Sequence, residues 1–126
     1  MSNVVFKNAI GNRKAKEYIG DVAISILTEK RLISVPRDLD HLVIEFGYLF
    51  LKEGGGTPIT MIKVLTPKRL FKKQKVFYMG SQDDDFLLFD DSFDENTFRK
   101  IQKDMFVKHN VDISTINWNE YKMELY

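Results

Sequence analysis

Residues 36–56 read PRDLDHLVIEFGYLFLKEGGG, and the period of their apolar residues decides how the rest of the chain is laid out. Leu39, Leu42, Val43, Phe46, Leu49 and Phe50 recur at three- and four-residue intervals, the spacing of one helix face. Ser34 is a good cap, and Pro36 suits a first turn because its missing N–H would have no partner there. The spacing therefore predicts a helix over residues 36–52, stopped by Gly54, Gly55 and Gly56.

On the N-terminal side, Ala15, Tyr18, Ile19, Val22, Ala23, Ile26 and Leu27 form a second stripe at helical period. Lys14, Lys16, Glu17, Asp21 and Glu29 fall opposite it. A helix over residues 12–31 follows, with Asn12 as its N-cap; Gly20 within it costs about 1 kcal/mol against Ala. Val4, Val5 and Phe6 make a short first strand. Two adjacent amphipathic helices with a short connection predict an antiparallel pair covering one face of a sheet.

The sheet is expected from the C-terminal side. Residues 60–65 alternate as a strand, and Thr66-Pro67 opens a single helical turn through Leu70 and Phe71. Residues 75–79 and 86–89 read as a hairpin joined by a polar loop over residues 80–85. Ser92 with Glu95 three residues later is a capping box, in which each side chain satisfies a free N–H of the other's turn. It announces a helix over residues 94–108, striped by Phe98, Ile101, Met105 and Phe106 and ending in Lys103, Lys108 and His109, as the helix dipole prefers. In the tail Tyr121, Met123 and Leu125 alternate at strand period, while Trp118, Tyr121 and Leu125 also fit a helical face; the alternation favours a strand.

These elements define one α+β domain over residues 1–126, with a small antiparallel sheet of three to five strands, two N-terminal helices packed on it and a third helix after the hairpin. Ile19, Val22, Ile26, Leu42, Phe46, Leu49, Phe77, Phe98 and Ile101 are the expected core. With 126 residues and 44% apolar composition, the chain has enough material for one core and little more. The run of two helices, a glycine stop and a small sheet resembles a family of small bacterial immunity proteins through Pro36 and residues 49–56. That resemblance lacks the family's Asn-Gly-Gly and carries no residue across; it implies an inhibitor or immunity protein of bacterial or phage origin.

Composition narrows the function. No Cys is present, which removes disulfides, thiolate metal sites and a cysteine nucleophile, and fits a reducing, cytoplasmic setting. No apolar run approaches the ~20 residues of a membrane span, and the N-terminus has no signal-peptide pattern. His41 and His109 have no histidine partner at ligand spacing, so no metal or cofactor is expected. A calcium loop starting at Asp83 fails because Leu87 and Leu88 occupy the fifth and sixth positions, where an oxygen ligand and Gly are required. Without a nucleophile motif or phosphate loop, catalysis is not expected. A carboxylate- and Mg²⁺-dependent enzyme remains the third alternative, because that ion needs only one or two carboxylates beside a phosphate.

The charge is divided along the chain although its net value is only +1. Residues 61–75 hold Lys63, Lys68, Arg69, Lys72, Lys73 and Lys75 and no acid; residues 83–95 hold Asp83, Asp84, Asp85, Asp90, Asp91, Asp94 and Glu95 and no base. Runs of this kind are often plain solvated surface, where a pair contributes about 0–1 kcal/mol. The functional expectation is a protein-binding domain that docks its acidic segment, studded by Phe86, Phe89 and Phe93, on a partner with a basic surface. The alternative is a nucleic-acid-binding accessory protein that uses the basic segment, with Phe71 as a stacking ring.

Overall fold

A computed structural model describes residues 2–7, 13–35, 37–51, 58–83, 85–110, 112 and 121–125. The expectations placed on Asn12, Pro36, Gly54, Gly55, Gly56, Asp84 and Trp118 lie outside them. The element order is β1 (Ser2–Lys7), α1 (Arg13–Glu29), β2 (Val43–Phe50), β3 (Ile59–Leu65), β4 (Val76–Gln82), β5 (Asp85–Leu88), α2 (Glu95–Lys108) and β6 (Tyr121–Leu125). The fold is α+β. Its sheet has six strands in the order β5-β4-β3-β2-β1-β6 and is mixed, because β1 and β2 run parallel while the other neighbours are antiparallel.

The expected helix over residues 36–52 is replaced by a turn and the strand β2. Leu39 and Leu42 are fully buried, as the stripe required, but they enter the core from the turn. Ser34 caps no helix; its N–H donates to Asp38 Oδ2 at 2.8 Å. From Val43 onward every side chain is buried or half-buried. A strand covered on both faces reads as a continuous apolar run, which periodicity alone does not separate from a buried helix. The β-branched and aromatic residues Val43, Ile44, Phe46, Tyr48 and Phe50 favour the pleated form. Gly47 is the extra residue of a bulge, since Phe46 pairs with Ile62 and Tyr48 with Met61.

With that helix gone, each face of the sheet carries one helix. On the first face Phe6, Ile44, Phe46, Ile62, Val64 and Met79 meet Ile19, Ala23, Ile24 and Leu27 of α1. Phe6 and Phe46 meet edge to face, with ring centroids 5.7 Å apart. On the opposite face Tyr48 and Met61 meet Phe98 and Phe106 of α2. The α1 stripe is turned from its expected orientation: Lys16, Gly20 and Ile24 face inward, and Tyr18 is 58% exposed. Gly20 is the reason. A Cβ there would stand 2.8 Å from Phe6 Cζ, so only glycine lets the helix lie on this ring. Lys16 contributes its aliphatic stem to the interface, and burial lowers its ammonium pKa.

Ile19, Leu42, Phe46, Leu49 and Phe98 are buried as expected, whereas Val22, Ile26, Phe77 and Ile101 are half-buried. The hairpin turn is tighter than the expected loop: Gly80, Ser81 and Gln82 belong to β4, and Gln82 pairs with Asp85. Asp83 takes the left-handed conformation (φ 55°) that a two-residue hairpin turn needs and that Asp tolerates. Residues 66–71 form no helical turn. Among the described residues, no helix is long and apolar enough to cross a membrane.

Candidate functional site

The charged segments meet in places the sequence does not announce. Lys63, Glu45 and Tyr78 are cross-strand neighbours on the α2 face, and α2 lays Glu95 and Arg99 over them. Glu95 Oε2 accepts from Lys63 Nζ and from the Tyr78 hydroxyl, each at 2.9 Å. Its other oxygen accepts from Arg99 Nε at 2.8 Å. Arg99 Nη2 also donates to both Glu45 oxygens, at 2.9 and 3.2 Å. Burial would raise the Glu95 pKa, but Lys63, Tyr78 and Arg99 outweigh it and hold the carboxyl below its usual range. Burial, then the Glu95 hydrogen bond, push the Tyr78 phenol up to about 12.

Lys63 and Glu95 were assigned to opposite binding sites by charge; here they neutralise each other. Glu45 and Arg99 were missed. Their signals were a lone acid inside an apolar run and an i,i+4 acid–base pair on one helix. The capping box is also absent: Asp94 is the N-cap, accepting from the Thr97 N–H at 2.8 Å, which leaves Glu95 free to reach across the sheet. Hydrogen bonds from the Thr97 N–H and hydroxyl lower the Asp94 pKa.

The remaining acids divide between the two ends of β5. Asp83 and Asp85 sit at the β4–β5 turn, with Asp84 between them outside the described residues; Asp90 and Asp91 follow the far end of the strand. The phenylalanines divide as well. Phe86 packs toward the α1 face, while Phe89 and Phe93 pack toward the α2 face.

At the far end of β5 the side chains enclose a groove of about 300 Å³. Phe77, Leu88, Phe89 and Phe93 form its apolar floor, Val76 one lip, and Asp90 and Asp91 its charged rim. Phe89 and Phe93 are stacked with centroids 4.6 Å apart, and Phe93 leans on Tyr78 at 5.2 Å. Phe89 can lie flat because residue 80 is glycine: a Cβ would stand 2.7 Å from Phe89 Cζ. The Ser92 hydroxyl and its N–H both donate to Asp90 Oδ1, which lowers the pKa of that carboxyl and keeps it ionised. A polar group placed over an apolar floor orients a ligand, and this volume suits one or two side chains.

Beside the groove a basic finger leaves the sheet between β3 and β4. Thr66 and Lys75 close its base: the Lys75 N–H donates to Thr66 Oγ1 at 2.7 Å, and the Thr66 N–H donates to the Lys75 carbonyl at 3.0 Å. Arg69 and Lys72 pair across its end, leaving Leu70 and Phe71 as a two-residue tip. Those two side chains are 89% and 94% exposed. Arg69 Nη2 donates to the Arg37 carbonyl and so holds the finger against the turn before β2. Lys68, Lys72, Lys73 and Lys75 make no ion pair with a described residue. The cleft at the finger's base, near Asp38 and Thr66, is only about 20 Å³, room for a single water.

His41 lies in a turn at φ 65° and not on a helix, while His109 is the C-cap of α2 and stacks on Phe50 at 4.0 Å. Among the described residues no group of three or more His, Asp or Glu side chains is arranged to hold a metal ion. Comparison with family models, curated proteins and solved structures finds no match.

Proposed function

We propose that this protein is a non-catalytic binding domain whose groove, at the start of β4 and the end of β5, takes a basic, apolar-tipped segment of a protein partner. The observation that carries the proposal is the pairing of an aromatic floor with a rim of two carboxylates. An apolar side chain entering it is partly withdrawn from water, while Asp90 and Asp91 select lysine or arginine beside it. The acidic docking element is thereby narrowed to Phe89, Asp90, Asp91 and Phe93. An inhibitor or immunity protein acting this way would cover a basic loop of its target. Asp91→Lys leaves the floor and the Asp90–Ser92 turn in place, and it is expected to weaken capture of a short peptide of alternating Lys and Phe at least tenfold in calorimetry. Asp85→Lys, at the other end of β5, is expected to leave capture unchanged. Equal loss in both variants would refute the assignment.

A second use is supported by the finger, whose exposed Phe71 is flanked along the chain by lysines that make no ion pair with a described residue. Such a tip suits a nucleic-acid backbone with one base stacked on the ring. In that case Lys68→Glu, Lys72→Glu and Lys73→Glu together abolish oligonucleotide binding. For the unmodified chain, log affinity then falls with log salt at a slope of about −2 to −3.

A further inference from the structure

The finger and the groove are complementary in chemistry, and one chain carries both. The tip offers one aromatic and one aliphatic side chain ringed by lysines. The groove offers an aromatic floor behind two aspartates. We propose that the partner segment is the finger of a second copy of this chain, so that two chains exchange fingers about a two-fold axis. The proposal rests on the groove being a docking site for a basic, apolar-tipped segment.

Three observations support a second copy. The first is that the groove is not filled by the chain's own finger, since Phe71 and Leu70 are almost fully exposed while Arg69 ties the finger to the Arg37 carbonyl. The second is position. Phe89 N–H donates to the Tyr78 carbonyl at 2.9 Å and Leu88 pairs with Met79, so the groove lies beside the start of β4. The finger leads directly into that start, through the Thr66–Lys75 pair. Plug and socket therefore share one end of the sheet, and two chains meeting end to end bring each finger to the other's groove. Such an interface is self-complementary and closes at two copies. The third is charge. With a net charge of +1 the chains hardly repel each other as wholes, while Lys68, Lys72 and Lys73 meet Asp90 and Asp91 locally.

Each contact inserts only two apolar side chains, so two contacts fall at the small end of specific interfaces, at or below about 1,200 Å² in total. The dimer is accordingly weak and concentration-dependent. Sedimentation equilibrium of the full chain over a concentration series is the experiment. The unmodified chain is expected to pass from monomer to dimer mass with no larger species. Phe71→Ser removes both plugs and Asp91→Lys alters both sockets, and each is expected to raise the dimer dissociation constant at least tenfold. Both positions are exposed, and circular dichroism of each variant verifies the fold.

Mixing the two variants separates this pairing from a general loss of stickiness. Each variant alone loses both of its contacts. The mixed dimer keeps one intact contact, the finger of the Asp91→Lys chain in the groove of the Phe71→Ser chain, so the mixture is expected to dimerise more tightly than either variant alone. A mixture no tighter than its components overturns the proposal, and so does growth beyond dimer mass, which means an open contact. A chain that stays monomeric at several hundred micromolar also overturns it. If such a chain still binds the Lys-Phe peptide, the groove reading survives and only the second copy is wrong; if it does not, both fall. Oligonucleotide binding by the monomeric chain, lost in Phe71→Ser, assigns the finger to nucleic acid instead.

Discussion

The two faces of the sheet are closed in different ways. Under α1 the contact is mainly apolar, with Phe6, Phe46, Ile44 and Leu27 fully buried beside the stem of Lys16. Under α2 an apolar cluster of Tyr48, Met61, Phe98 and Phe106 is flanked by the charged network of Glu45, Lys63, Glu95 and Arg99. Burial on the first face is non-directional and supplies stability. Hydrogen bonds on the second face are directional; they fix where α2 begins, and hence where Phe93, Asp90 and Asp91 stand at the groove. The groove draws on both faces: Phe77 and Leu88 pack with the α1 side, whereas Phe89 and Phe93 pack with the α2 side and its polar network.

The largest expected effect breaks the apolar face. Phe46→Ala leaves a cavity among fully buried neighbours and is expected to cost about 3–5 kcal/mol in denaturant unfolding. Gly20→Ala sharpens the same side. The methyl meets Phe6 at 2.8 Å, and overpacking of about 1–3 kcal/mol exceeds the ~1 kcal/mol that alanine adds in helix propensity. The variant is therefore expected to be less stable, and a net gain would mean that Phe6 can move aside.

On the polar face, Arg99→Ala leaves Glu45 nearly buried without its bidentate partner. Arg99 is itself 42% exposed, so water screens part of the loss, and about 1–2 kcal/mol is expected. The distinctive result is weaker peptide capture at the groove, because Arg99 holds Glu95, which in turn holds the Tyr78 hydroxyl of the ring on which Phe93 leans.

The smallest effect is one of pH. Because the Glu95 pKa is lowered in the folded chain, its contribution is present above the ordinary carboxylate pKa. That contribution is lost as the pH falls through the lower, folded value. Glu95→Gln is thus expected to flatten the decline of stability between about pH 5 and pH 2. An unchanged slope would show that Asp90 and Asp94, whose pKa values are also lowered, carry the acid sensitivity.

Much of the fold was legible along the chain. The stripe from Ala15 to Leu27 and the Phe98–Phe106 stripe each marked a helix to within a residue or two of its bounds. The alternation at Tyr121–Leu125 and residues 60–65 marked two strands. The helix signals are local, because a helix shows one face to water and its period survives in the sequence. β3 is an inner strand, and the glycines before it and Pro67 after it helped to mark it. Residues 43–50 lost that signal: β2 lies between β1 and β3 under helices on both sides, so no polar face remained to reveal the period. The outline of two helices ahead of the sheet, to which the resemblance to immunity proteins was fitted, is replaced by one helix before the strands and one after.

What the sequence by itself determined was the α+β class, the placement of two helices and the separation of basic from acidic residues. Only the tertiary structure decided which charges are available. Strand register put Lys63 beneath Glu95 and paired the two charges, while β5 sent Asp83 and Asp85 to one end and Asp90 and Asp91 to the other. The adjacent apolar residues Leu70 and Phe71 stood in plain view within a basic run, yet only the pairing of Arg69 with Lys72 makes them a tip. The physical reason is range. Periodicity records the contrast between water and core along a few residues, whereas ion pairing and groove formation depend on neighbours brought together by register across the sheet.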